Sequence, residues 1–189
     1  MRLFVAVVPP VEAIDHLDRA AAPVRAACAE LRWIPTERWH LTLAFYGEVA
    51  DRDVARLERR GLRATRDGGM TDLRFSGGGQ FGSRVLWVGV QGDRAGLRGL
   101  AGRLATDGRP YRPHLTLARA RPGGDVAAAA PDDPPASMQR GGDLRAAVTM
   151  LTAYDGPVWR ASEVVLFRSH LGPKPRHEPL TRWPLPAAP

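Results

Sequence analysis

The pentapeptide His-Leu-Thr-Leu-Ala occurs twice in the chain, as His40-Leu41-Thr42-Leu43-Ala44 and as His114-Leu115-Thr116-Leu117-Ala118. Each copy alternates polar and apolar residues, the period of a strand buried on one face. Strict alternation sets His40 and Thr42 on one face, with Leu41 and Leu43 on the other. His114 and Thr116 stand opposite Leu115 and Leu117 in the same way. If the two strands come from matching halves of a pseudo-symmetric fold, two imidazoles and two hydroxyls converge on one cleft. Such a set can bind a phosphate and move two protons.

The rest of the chain supplies elements for such a fold. Residues 2–8 form an apolar run that reads as a buried strand. Val11, Ile14, Leu17, Ala21 and Val24 then recur at helical spacing, predicting a helix over roughly 10–30. After the first histidine strand and Gly47, Asp51 is placed to cap a second helix whose apolar face includes Val54, Leu57 and Leu62. A segment around Leu73-Arg74-Phe75 and a strand Val85–Val90 follow, with Gly77, Gly78 and Gly79 between them. Asp93 opens a helix carrying Leu97, Leu100 and Leu104. Residues 121–142, rich in Pro, Gly, Ala and Asp, read as a mobile loop. Leu144, Val148, Leu151 and Tyr154 predict a last helix stopped by Gly156-Pro157, and strands are expected over 163–170 and 176–184. With 189 residues, the order fits one α+β domain over 1–189, built from two closely packed lobes.

Charge and cysteine content narrow the setting. The formal net charge is +7, which suits an anionic partner such as RNA. Lys174 is the only lysine among the 27 basic residues, so the arginine excess also fits a GC-rich genome that scatters Arg over the surface. Cys28 is the only cysteine; it excludes an intrachain disulfide and a cysteine-cluster metal site, and it falls in a helical pattern as a small buried residue. The opening apolar run is too short for a signal peptide or a membrane span, so the expected setting is the cytoplasm.

Two histidines facing each other with hydroxyls between them suit hydrolysis of a cyclic phosphodiester. A neutral imidazole takes a proton from water as it attacks phosphorus. A charged imidazole on the far side gives a proton to the leaving ribose oxygen. Histidine titrates near pH 6.5, so both forms are within reach near neutrality. Attack and departure run roughly in line, which requires acid and base to flank the phosphate. Thr42 and Thr116 share the histidine faces and can donate hydrogen bonds to the non-bridging oxygens. This chemistry needs neither metal nor cofactor.

At this point the chain resembles the 2H phosphoesterases, named for two His-x-Thr/Ser-hydrophobic motifs, and within them the RNA 2′,3′-cyclic phosphodiesterases, also called 2′-5′ RNA ligase-like proteins. The resemblance runs over nearly the whole chain, through Arg2-Leu3-Phe4-Val5-Ala6, Trp39 to Phe45 with Gly47, Arg84-Val85-Leu86-Trp87, Arg112 to Arg119, and Arg168-Ser169-His170-Leu171-Gly172-Pro173. It implies a bilobal pseudo-two-fold fold, each lobe an antiparallel sheet with helices on its outer face and the active cleft between. It also implies opening of RNA 2′,3′-cyclic phosphate ends to 2′-phosphate, with His40 as general acid and His114 as general base. Phe45 and Arg119, each five residues after a histidine, would contact the nucleobase and the phosphate. Strict alternation puts both on the buried face, so a bulge or strand end must intervene for either to reach the cleft. Tyr46 stands where the family has Leu, and His177 where Tyr is common.

Other readings remain open at this level. Ligation of RNA 2′-5′ ends would use the same cyclic phosphate in reverse. A non-catalytic protein of the same fold would bind RNA ends or nucleotides, although the intact histidine and threonine pairs speak against it. A metal site built on His40, His114 and His170 or His177 lacks the His-x-x-x-His and His-x-x-Glu-His spacings. His170 and His177 read first as partly exposed structural residues, and second as an extension of a substrate groove. His16 has no assigned role. The partners expected are cyclic-ended RNA or small cyclic nucleotides, with no membrane and no obligatory protein partner.

Overall fold

The computed structural model describes residues 1–66, 72–106, 108, 110–121, 144–173 and 175–186. Nine strands and four helices follow one another as β1 (Arg2–Val7), α1 (Val11–Ala27), β2 (Arg32–Trp33), β3 (Leu41–Glu48), α2 (Asp51–Arg66), β4 (Asp72–Phe81), β5 (Val85–Gly92), α3 (Arg94–Leu104), β6 (His114–Arg119), α4 (Leu144–Leu151), β7 (Trp159–Arg160), β8 (Glu163–His170) and β9 (Arg176–Pro184), among the described residues. A 3-10 turn, Thr36–Arg38, precedes β3. Apart from Arg121, the loop expected over 121–142 lies outside the described residues. Among those described, no helix is long and apolar enough to cross a membrane.

The strands form two antiparallel sheets, ordered β3-β1-β8-β9 and β2-β6-β5-β4-β7. The α+β class and the two-sheet layout are as expected. The lobes are not, however, the two halves of the chain. The first sheet joins strands from both chain ends, and the second is built from the middle plus the short β2. The strands that carry the repeated pentapeptide, β3 and β6, contact one another where the sheets meet.

The helices pack on the sheets and on one another, α4 against β4, α3 against β3 and α2, and α2 against β9. On α2, Gly61 lies under the Trp183 indole of β9, so close that a Cβ would stand 2.3 Å from the ring. Thr181 Oγ1 also donates to Glu58 Oε1 at 2.6 Å. This seating turns Leu57, Gly61, Ala64 and Thr65 inward. Leu62, expected on the apolar face, is 44% exposed: Trp183 selects the glycine stripe over the leucine. Asp51 is the first residue of α2 rather than its cap. Asp93 caps α3 as expected, its Oδ1 accepting from the Gly96 backbone N at 2.7 Å. On α1, Ala13, Leu17, Ala21 and Val24 are buried and Val11 is exposed. The last helix ends at Leu151, and Tyr154 lies beyond it, hydrogen-bonded to His16 Nδ1 at 3.0 Å.

The three glycines thought to separate two segments lie inside one ten-residue strand, β4. Gly79 is required there by a close approach: a Cβ would sit 2.1 Å from the Trp87 ring on β5. Glycine in a strand interior marks this kind of crossing.

Candidate active site

Both pentapeptides depart from strict alternation at the same point. On β3, Thr42 pairs with Ala6 and Ala44 with Val5, so Leu43 has no partner in the ladder. On β6, Thr116 pairs with Trp87 and Ala118 with Leu86, which leaves Leu117 unpaired. Each is a β-bulge, in which one extra residue turns everything beyond it to the other face. The burial pattern repeats as well: Leu41, Leu43 and Ala44 are buried and Phe45 is exposed, while Leu115, Leu117 and Ala118 are buried and Arg119 is exposed. The bulges therefore put Phe45 on the face of His40 and Thr42, and Arg119 on that of His114 and Thr116. Strict alternation, which would have buried both, is overturned by a device present in both strands.

The two histidines are held alike. His40 Nδ1 lies 2.7 Å from the Arg38 carbonyl oxygen, and His114 Nδ1 lies 2.7 Å from that of Arg112. A carbonyl can only accept, so Nδ1 carries the hydrogen in both rings. Each Nε2 is thereby left as the working nitrogen, an acceptor when the ring is neutral and a donor when it is charged.

Their surroundings differ. The His40 ring lies 4.9 Å from the Phe4 ring and 5.1 Å, edge-on, from that of His177. Burial, with smaller contributions from Arg38 and His114, lowers its pKa to about 4, against the pull of the Arg38 carbonyl. His114 stands 4.7 Å from Phe81, edge to face, and 6.2 Å from Trp87. Burial lowers its pKa too, followed by the charge of Arg119, while the Arg112 carbonyl opposes the shift. His114 is near enough to help lower the pKa of His40. Both imidazoles are neutral near pH 7 in the free protein, and both are drawn toward protonation by an entering anion.

Three groups were missed or undervalued in the sequence. Arg38 lies between β2 and β3, and its guanidinium pKa is lowered by burial and then by Arg32, with Glu37 opposing and Arg119 adding. The repeat in fact extends two residues back, as Arg38-Trp39-His40 and Arg112-Pro113-His114, and those arginines supply the carbonyls that orient the rings. His177 was read first as structural, yet it belongs to the His40 cluster. Burial, then His40 and Arg38, lowers its pKa to about 4. His170 stands apart from that cluster, its Nε2 paired with Glu178 Oε2 at 2.6 Å across the β8–β9 hairpin. Phe4 and Phe167, stacked at 5.2 Å, complete the aromatic floor under His40. Among the described residues no group of three or more His, Cys, Asp or Glu is arranged to hold a metal ion.

Beside His40, between the turn at 36–38 and the β8–β9 hairpin, lies a cavity of about 400 Å³. Its walls do not include His114.

Comparison with known proteins gives a consistent set of relatives. The LigT-like phosphoesterase family matches residues 7–87. An RNA 2′,3′-cyclic phosphodiesterase of Escherichia coli K12 is 31% identical, over 97% of this chain and 96% of its own. One from Geobacillus stearothermophilus is 29% identical over 98% of this chain, which spans 58% of that longer protein. Among solved structures, apo Escherichia coli LigT superimposes with a TM-score of 0.70 at 28% identity, covering 97% of this chain and 96% of LigT.

Proposed function

This chain belongs to the LigT-like phosphoesterase family, and from that premise we propose that it hydrolyses RNA 2′,3′-cyclic phosphate ends to 2′-phosphates by a two-histidine acid–base mechanism. The observation that carries the reading is the doubled anchor. Two histidines on bulged strands of two different sheets are each tied through Nδ1 to the carbonyl of an arginine two residues earlier. That arrangement leaves each Nε2 clear of its backbone anchor, which supports proton transfer by both rings.

In the reaction, Nε2 of neutral His114 takes a proton from water as its oxygen bonds to phosphorus. The bond from phosphorus to the ribose 3′-oxygen breaks, and Nε2–H of charged His40 protonates that oxygen. The products are a 3′-hydroxyl and a 2′-phosphate. Thr42 and Thr116 donate to the non-bridging oxygens, Arg119 offsets their charge, and Phe45 stacks on the terminal base. Because His40 is neutral in the free site, its proton is taken up as the phosphate anion binds. Residues 1–189 act as one unit because each sheet contributes one proton carrier. We place the action in the cytoplasm, on cyclic-ended RNA or small cyclic nucleotides.

A short RNA ending in a 2′,3′-cyclic phosphate tests the reading. The wild type should release a 2′-phosphate, and His40→Ala and His114→Ala should each lose about 10²–10⁴-fold in turnover while still binding the product. A 3′-phosphate product, or turnover retained in both variants, would refute the assignment. Binding without turnover in the wild type would favour the non-catalytic reading.

A further inference from the structure

The cavity beside His40 is larger than the space one phosphate occupies between two imidazoles. Its volume is about 400 Å³, and Val8, Arg38, Phe167, His177, Pro179 and Arg182 line it together with His40. That is within the range of pockets that enclose a small organic ligand.

Register locates it along the first sheet. Val7 pairs with Leu41 at the end next to His40, whereas Phe4 pairs with Phe45 further along β3. Phe45 therefore stands roughly 13 Å from His40 along the strand, on the side away from the cavity. Phe45 is 50% exposed, with the Arg2 guanidinium 4.7 Å from its ring centre. The histidine site is thus flanked by a flat aromatic platform on one side and by a recess on the other.

The recess has the chemistry of a nucleotide site. Val8, Phe167 and Pro179 give it an apolar floor, and Arg38 and Arg182 put guanidinium groups on its walls. Arg38 borders the recess beside His40, where an anionic oxygen would pair with its guanidinium. Arg182 shares the concave face with Phe167 and is paired with Glu163; Glu37 adds one carboxylate to the lining and Arg176 one more cation at the hairpin.

We propose that this recess binds the nucleotide preceding the cyclic terminus, its base against Phe167 and Pro179 and its phosphodiester on Arg38 and Arg182. The proposal rests on the hydrolytic reading above. It makes the enzyme selective for cyclic-ended oligonucleotides over cyclic mononucleotides, which have no second phosphate to place there.

The test compares kcat/KM for a 2′,3′-cyclic mononucleotide with that for a 5′-hydroxyl dinucleotide ending in the same cyclic nucleotide. The wild type should favour the dinucleotide at least tenfold, mainly through KM, and Arg182→Gln should reduce that ratio about tenfold. Glu163→Gln removes the ion pair but keeps the cation, and should hold or raise the ratio. A wild-type ratio near one, or an unchanged ratio in Arg182→Gln, would overturn the subsite while leaving the hydrolytic reading intact. An equal fall in both variants would overturn it as well, by tracing the effect to the ion pair. Failure of the wild type to turn over either substrate would instead sink the hydrolytic reading.

Discussion

Taking the protein from pH 8 to pH 5 should remove about 2 kcal/mol of stability at His40 alone. The ring has a pKa of about 4 in the fold against 6.5 when free, first because burial disfavours its charge and then because Arg38 and His114 are close. The folded state therefore binds fewer protons than the unfolded state between those two values. The contribution is whole above pH 6.5, is lost as pH falls, and levels off below pH 4 at a total of about 3 kcal/mol. Urea unfolding at pH 8 and pH 5 should read the loss by comparing wild type with His40→Gln. The variant lacks the titrating ring, so its own loss should be smaller by about 2 kcal/mol; groups distant from residue 40 cancel to first order, and His177, whose pKa His40 helps to lower, is taken out by making the comparison in a His177→Gln background. Sulfate, whose charge is constant over this range, should stabilise the wild type more at pH 5 than at pH 8, because an anion beside Nε2 restores the proton. Equal pH losses in the two proteins would refute the burial argument. Equal protection by sulfate at both pH values would remove the ring from the anion site.

Two further outcomes follow from the geometry. Thr42→Val and Thr116→Val keep the side-chain shape but delete the hydroxyl, and each should lower kcat about 10²-fold with little change in melting temperature; unchanged kcat would mean that the hydroxyl does not reach the phosphoryl oxygens. Arg119→Ala should raise the pKa of His114, followed by NMR titration of the imidazole, because the Arg119 charge helps to depress it; an unmoved titration would place the guanidinium away from the ring.

Much of this was legible from local pattern. Period-two and period-3.6 apolar spacing located β3, β5, β6, α1 and α3, because those elements bury one face and their own sequence records which. The repeat disclosed the two histidines and two threonines for the same reason. What stayed hidden depends on contacts between distant segments. Leu62 and Gly61 cannot be ranked on α2 until Trp183, over a hundred residues later, is seen to occupy the glycine groove. His177 acquires its place beside His40 only through the order β3-β1-β8-β9. The glycines of β4 look like a break in sequence, and become part of a strand once the Trp87 ring lies across Gly79.

The bulges explain how a core sets the precision of a cleft. Leu43 and Leu117 are the unpaired residues, and both are buried. Sliding either strand by one residue would expose a leucine at a cost of about 2 kcal/mol and turn its histidine into the core. Hydrophobic burial therefore fixes the registers in which each imidazole shares a face with its threonine. Because the anchors on Nδ1 are the same in both strands, backbone geometry cannot separate acid from base. Neighbouring charge does not separate them either, since Arg119 helps to lower the pKa of His114 and Arg38 that of His40. His40 is enclosed by Phe4 and His177, so in the proposed mechanism it becomes an acid when the substrate supplies the negative charge. The proposed mechanism thus asks two copies of one strand to play opposite roles, and it is the bound substrate, through the position of its leaving oxygen, that tells them apart.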